Sequence, residues 1–330
     1  MPDVWTHIFC GQEVLAGVEE NFRELARAQK RLFFLGCQGP DIFFYFNFLP
    51  WDGDKRVFLL GNRIHQEKCG LFLRESLKYV KRNPDAGTTV YLMALICHWC
   101  LDRVTHPYIN YISGVYRGRQ NETTKLINNH KRVEAALDVL MGRKLLNINV
   151  RKVRVHREID VGDSLPEEIV AFYEYILPLI FKDSCESLAG TDFINKSYRD
   201  MISALKVLYD PWGIKRALVS VYDLLSRDKD NIRYYFYRGP EKNGEAYLNE
   251  AKRTWGHPMD EGELYTDSFP ELFRKGVAES VEVINLSLRF IGGDVDEEAI
   301  TEKIKDISYS TGKPESDLRP MRHFKPVLEP

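Results

Sequence analysis

Along most of this chain, apolar residues recur at helical rather than strand spacing. Ile64, Leu71, Leu73, Leu77 and Val80 fall near a 3.6-residue period and Pro84 closes the stretch, which predicts one helix from Leu59 to Arg82. The segment GTTVYLMALICHWCLDRVTHP, from Gly87 to Pro107, opens on threonines, runs through good helix formers with β-branched interruptions and ends on a proline. It predicts a helix from Thr89 to Thr105. A third is expected from Thr123 to Leu140. The stretches Pro166 to Lys182, Ile194 to Tyr209, Trp212 to Ser226, Glu245 to Thr254, Phe269 to Phe290 and Glu297 to Asp306 carry the same pattern. The expected fold class is therefore all-α. The one strand candidate is NINVRKVRVH at 147–156, whose alternation is only partial, and from Ser310 onward prolines and charges predict an irregular tail.

Composition adds bounds to this picture. At 330 residues and 44% hydrophobic content the chain can fill a real core as one large domain or two ordinary ones. Its 46 basic and 48 acidic residues leave a formal charge of -2, so no global field draws it to nucleic acid or to an anionic membrane, and any such binding must be local. The amino-terminal MPDVWTHIFCGQEVL lacks a basic leader followed by an apolar stretch. The longest apolar run, Val90 to Cys97 continued by Trp99 to Leu101, is interrupted by His98 and too short to cross a bilayer. A soluble cytoplasmic protein, or one peripheral at the membrane, is expected. Six cysteines are too few for a disulfide framework and read as thiols. Cys97 and Cys100 form a CxxC pair, a spacing that suits redox chemistry or a metal, but within an apolar helix and without a second CxxC it reads as packed thiols.

The histidines change the picture most. Five of the eight precede residue 131. His98, Asp102 and His106 are each four residues apart, so on a helix they form one stripe that advances by about 40° per step. His130 and Glu134 repeat the pairing on the next predicted helix. A lone histidine on an apolar helix is usually a satisfied structural residue. Here the helix reading YLMALICHWCL is apolar nearly all round, so an ionisable pair within it needs partners, and metal ligation provides them.

Taken together, THIFC near the start, LGCQGPDIFFY around Asp41, IHQEKCG around His65, HWCLDRVTHPYIN from His98 and HKRVEAALD from His130 resemble the zinc-dependent phospholipase C family over roughly residues 1–140. The resemblance implies a multi-helix bundle of the type shared with fungal single-strand zinc nucleases and a cluster of two to three zinc ions. By position, Asp41, His65, His98 and Asp102 match the ligands of one ion, and His106, His130 and Glu134 those of a second. A third would be held by His7, by Asp102 as a bridge and by the chain's amino terminus. Removal of Met1 would place the Pro2 amine for that role; the alternatives are Asp3, or no third ion. Residues 1–145 would then form the zinc-binding core, with 146–330 adding helices that pack on it.

The implied chemistry is phosphate-ester hydrolysis, with Asp41 orienting or deprotonating the attacking water and a glycerophospholipid or its headgroup as substrate. The aromatic run after Asp41, with Phe43, Phe44, Tyr45, Phe46, Phe48 and Trp51, suits a quaternary ammonium cage, base stacking or packing over the metals. Ile42 stands where the family has a tyrosine, which weakens a claim to choline. A nuclease or phosphomonoesterase is the alternative, with RKVRVHR at 151–157 tracking a phosphate backbone. A helical protein that uses zinc only for structure is the third reading. Cys10, Cys37 and Cys69 lie three or four residues from His7, Asp41 and His65 and read as packing residues, while His156, His257 and His323 read as structural or surface positions.

Overall fold

The computed structural model describes residues 4–48, 53–114, 121–225, 232–238 and 244–327. The helices, in chain order, are α1 (Val4–Gly17), α2 (Glu20–Ala28), α3 (Lys30–Gly36), α4 (Arg56–Gln66), α5 (Cys69–Arg82), α6 (Ala86–Ser113) and α7 (Asn121–Leu146). They continue as α8 (His156–Ile159), α9 (Glu167–Ile180), α10 (Lys182–Ser187), α11 (Phe193–Leu208), α12 (Ile214–Leu225), α13 (Gly244–Leu248), α14 (Phe269–Gly292) and α15 (Glu297–Lys303). Short 3-10 turns lie at Gly39–Tyr45, Val150–Lys152 and Ile232–Tyr235. The all-α expectation holds, and the one sheet among the described residues is a two-stranded antiparallel ribbon, β1 (Trp255–His257) against β2 (Asp260–Tyr265).

Helix α6 is the axis of the fold. From Val90 to Asp102 every residue is buried, because α14, α3, α7, α1, α9 and α5 all pack against it. Asp85 caps its first turn by accepting from the Thr88 amide at 2.7 Å and the Thr88 hydroxyl at 2.9 Å. Its far end corrects the expected proline stop: the helix passes through Pro107 to Ser113. Pro107 leaves the carbonyl of Arg103 without its helical donor, and Gly312 packs against that carbonyl so closely that a Cβ would overlap it.

Three other expectations are corrected. The single helix from Leu59 to Arg82 is two, α4 and α5, broken at Lys68, which takes a left-handed φ of 57°. The freed amides at the start of α5 find partners far along the chain. Lys68 and Cys69 each donate to the Glu315 carboxylate at 2.6 Å, and Leu71 donates to Asp306 at 2.7 Å. The tail expected from Ser310 is thus irregular in backbone but bonded into the fold. The strand expected at 147–156 is instead a 3-10 turn followed by α8, since the Asn149 side chain accepts from the Arg151 amide and the segment pairs with no strand. Similarly, the helix expected over Glu245–Thr254 ends at Leu248, where the Asn249 side chain accepts from the Arg253 amide and turns the chain toward β1.

If Glu315 is the cap of α5, Glu315→Ala should lower stability in urea denaturation by about 1–2 kcal/mol, the usual size of a lost charged cap.

Candidate metal centre

The stripe on α6 turns His98, Asp102 and His106 toward its neighbours, and four other elements bring ionisable groups to meet it. Helix α1 delivers His7, the 3-10 turn after α3 delivers Asp41, α4 delivers His65, and α7 delivers His130 and Glu134. Their donor atoms fall into three sets: His7 with His98 and Asp102, Asp41 with His65 and His98, and His106 with His130 and Glu134. All eight positions singled out in the sequence are brought together. The grouping differs in one respect from the expected one. Asp102 sits with His7, as its bridging role implies, but the member common to that set and to the Asp41–His65 set is His98 rather than Asp102.

Asp102 is the hub. Its Oδ1 lies 3.3 Å from His7 Nε2, and its Oδ2 lies 3.3 Å from His98 Nε2 and 3.5 Å from His106 Nδ1. Burial pushes its carboxyl up, but the pull of His106, His98 and His7 outweighs that and holds it well below the ordinary range. Burial drives His7 down from its usual value, and takes His106 down to about 3. His98 moves the other way: burial would lower it, but Asp102 and Asp41 together raise it.

The hydrogen bonds show what these groups are set up to hold. His65 Nδ1 donates to the Gly61 carbonyl at 2.7 Å, and His98 Nδ1 donates to the Cys37 carbonyl at 3.1 Å. A carbonyl can only accept, so in each neutral ring the proton is on Nδ1 and the Nε2 lone pair faces the site. His65 Nε2 then lies 2.9 Å from Asp41 Oδ1, an acceptor against an acceptor. On α7, His130 Nδ1 faces the Ser113 hydroxyl, which itself donates to the Gly114 carbonyl, and His130 Nε2 meets Glu134 Oε1 at 2.8 Å. With neutral rings, such contacts become favourable when a cation lies between the lone pairs. Among the described residues, both Asp102 oxygens, both His7 nitrogens, His98 Nε2 and His106 Nδ1 are buried without a hydrogen-bond partner. The residues fit zinc: imidazole nitrogens and carboxylate oxygens in sets of three, rings anchored through their far nitrogens, and room in a four-coordinate shell for one further ligand.

Three positioning features were not assigned from the sequence. Asp138 accepts from the Trp5 amide (2.9 Å), the Thr6 amide (2.8 Å), the Thr6 hydroxyl (2.5 Å) and the Tyr237 hydroxyl (2.8 Å). It thereby pins the start of α1 and with it His7. The signal was present, because His130, Glu134 and Asp138 continue one i, i+4 ladder. Gly39 has a φ of +53°, and a Cβ there would come within 2.6 Å of the His98 ring, so the residue is glycine for conformation and for space. Tyr309 closes the site from the tail: its amide donates to the His65 carbonyl at 3.0 Å, its ring lies 4.9 Å from that of His65 and 5.8 Å from that of His98, and its hydroxyl is buried. Nothing local in the sequence marks it.

The remaining candidates separate cleanly. Phe43 is buried against Tyr173 and Phe193, whereas half-buried Phe44 leans on His65 at 5.0 Å and on Phe58 at 5.2 Å. Ile42 is buried, and Trp51, Pro2 and Asp3 lie outside the described residues. Cys10, Cys37, Cys69, Cys97 and Cys100 are buried free thiols that join none of the three donor sets, and burial pushes Cys10, Cys69, Cys97 and Cys100 up. His257 is satisfied by the Thr311 carbonyl and the Met259 amide, and His323 lies near Glu261 at the surface.

Fold and site together define a helical protein organised around clusters that fit metal ions. A family model for zinc-dependent phospholipase C matches residues 6–205, more than half of the chain, and the chain belongs to that family. The match runs beyond the motifs that end near residue 140, through α9 and into α11. No curated protein and no solved structure matches the chain. No described helix is long and apolar enough to cross a membrane.

Two outcomes follow. Asp138→Ala should weaken zinc binding roughly 10- to 100-fold without unfolding the chain, as loss of a group that orients a ligand does, read by competition with a chromophoric chelator. Acid should destabilise the zinc-stripped protein. His7 and His106 bind protons in the unfolded chain below about pH 6.5 but resist them when folded, so each removes up to ~1.4 kcal/mol per pH unit as pH falls, and His98 opposes with a single contribution. The urea midpoint in chelator should therefore be lower at pH 5 than at pH 7; an equal or higher midpoint would contradict neutral burial of these rings.

Proposed function

We propose that the chain hydrolyses a phosphodiester with zinc held by His7, Asp41, His65, His98, Asp102, His106, His130 and Glu134, and that its substrate is a glycerophospholipid. The observation that carries this reading is the convergence of three donor sets within one buried cluster, two of them sharing His98. When bound there, zinc lowers the pKa of a water and polarises phosphoryl oxygens.

The chain's own residues divide the remaining work. Asp102 and Glu134 are fully buried within helices, whereas Asp41 sits on a 3-10 turn and is 4% exposed. Of the three carboxylates it is the least buried, which supports it as the one that meets an incoming water. Burial pushes Asp41 up, but the pull of His98 and His65 wins and leaves it ionised, the form a proton acceptor needs. His65 and His98 are locked through their Nδ1 protons, so neither has to reorient as substrate enters. On the His65 side, half-buried Phe44 and the exposed Phe58 form an apolar rim, which supports a lipid over a nucleotide as the group next to the phosphate.

The test compares turnover of a phosphatidylcholine, a soluble phosphocholine ester and single-stranded DNA by the zinc-loaded protein, with and without Asp41→Asn. The expected result is preference for the phosphatidylcholine and a fall in kcat of about 10²- to 10⁴-fold in the variant. Full activity of Asp41→Asn at full zinc content excludes its role. DNA as the preferred substrate replaces the lipid reading, and inactivity on all three leaves zinc a structural part.

A further inference from the structure

Helix α12 is packed with its polarity reversed. At 100° per residue its inward side carries Arg216, Val219, Ser220 and Asp223, and the Asp223 carboxylate is buried, accepting from the Arg233 amide at 3.0 Å. Its outward side carries Ile214 (63% exposed), Leu218 (69%), Val221 (57%) and Tyr222 (55%), which fall within a stripe about 100° wide. Leu224 and, in the turn just before the helix, Trp212 are each 80% exposed. The helix is therefore fastened to the 3-10 turn Ile232–Tyr235 by polar contacts while six large apolar side chains face out. A contiguous exposed patch of this kind marks a surface that something covers.

The charges beside it indicate what. Gly213 packs against the guanidinium of Arg151, Tyr209 donates to the Lys152 carbonyl, and Arg154 lies over the Tyr209 ring at 5.3 Å. The basic segment 151–157 thus borders the foot of α12, with Lys152, Arg154 and Arg157 exposed and Lys215 exposed on the helix itself. The acidic groups nearby are engaged: Asp160 with Lys206 at 3.5 Å, Glu158 with Lys30 at 3.5 Å, and Asp210 with the Arg216 amide at 2.9 Å. In a chain of net charge -2 this is a local positive rim.

We infer that α12 and Trp212 seat the protein on an anionic phospholipid bilayer, the apolar stripe entering the interface while the basic rim meets the headgroups. An amphipathic helix with aromatic and aliphatic residues on one side and Lys/Arg beside them suits that plane. A second copy of this chain suits it less, because a two-fold pairing through α12 would set the basic rim against itself. The surface stands apart from the metal donors and does not depend on the phosphodiesterase reading.

The experiment is flotation of the full chain with phosphatidylcholine vesicles, with and without phosphatidylserine, in chelator and in zinc, alongside tryptophan emission. Binding should require phosphatidylserine, weaken at high salt, persist in chelator and shift Trp emission to the blue. In a Trp51→Phe background, Trp212→Phe should abolish the shift, since Trp5, Trp99 and Trp255 are buried. Leu218→Glu, at an exposed site, should lower vesicle binding about tenfold or more while the far-UV circular dichroism and the urea midpoint are unchanged. Binding that is absent in the wild type, survives Leu218→Glu, or disappears with zinc removal would overturn the inference. So would a dimer in solution that Leu218→Glu dissociates.

Discussion

A carboxylate buried at the middle of the central helix is the constraint around which this protein is arranged. Asp102 has no access to solvent and lies one turn from His98 and one turn from His106. An ionised carboxylate in such a place costs several kcal/mol unless positive charge and hydrogen-bond donors surround it. The surrounding chain instead arranges imidazole nitrogens about both oxygens, so that a metal ion between them would supply the charge. His7 is held against one oxygen because Asp138 grips the start of α1, and His98 is held against the other because its far nitrogen is tied to the Cys37 carbonyl. The apolar remainder of α6 serves the same end, since low-dielectric surroundings strengthen every charge interaction within them.

Much of this was legible because helices repeat. The stripe His98, Asp102, His106 and the pair His130, Glu134 follow from helix pitch alone, and an ionisable pair within an apolar run predicted its own need for partners. That His98 would join the His7 set was not legible, because it depends on how α1 lies against α6, and the start of α1 is fixed by Asp138 from more than a hundred residues away. Breaks between helices were hidden for a similar reason. Periodicity continues smoothly through Lys68, and what makes the interruption stable is a pair of carboxylates, Asp306 and Glu315, near the other end of the chain. Pro107 misled in the opposite direction, since a proline stops a helix only where the surrounding packing leaves it free to do so. At 147–156 partial alternation pointed to a strand, but with no strand beside it the backbone satisfies itself by turning.

Membership of the zinc-dependent phospholipase C family covers the first two-thirds of the chain at most, yet the last third enters the architecture of the site. Trp99 on α6 donates to the Ile307 carbonyl, Tyr309 covers His65, and Gly312 rests on α6 where Pro107 has freed a carbonyl. These contacts make the later segment a wall of the centre rather than an appendage to it.

The position of Tyr309 also fixes an order of events during biosynthesis. The chain emerges from the ribosome amino end first, so all the ligand-bearing positions through Glu134 are exposed to the surrounding medium well before residue 309 is made. Until then His65 has no cover on the side that Tyr309 occupies, and the first amides of α5 have no acceptor in Glu315. This side of the centre is therefore completed only by a contact that spans more than two hundred residues, a long loop to close. On the ribosome, then, the ligand positions exist before the wall that flanks them.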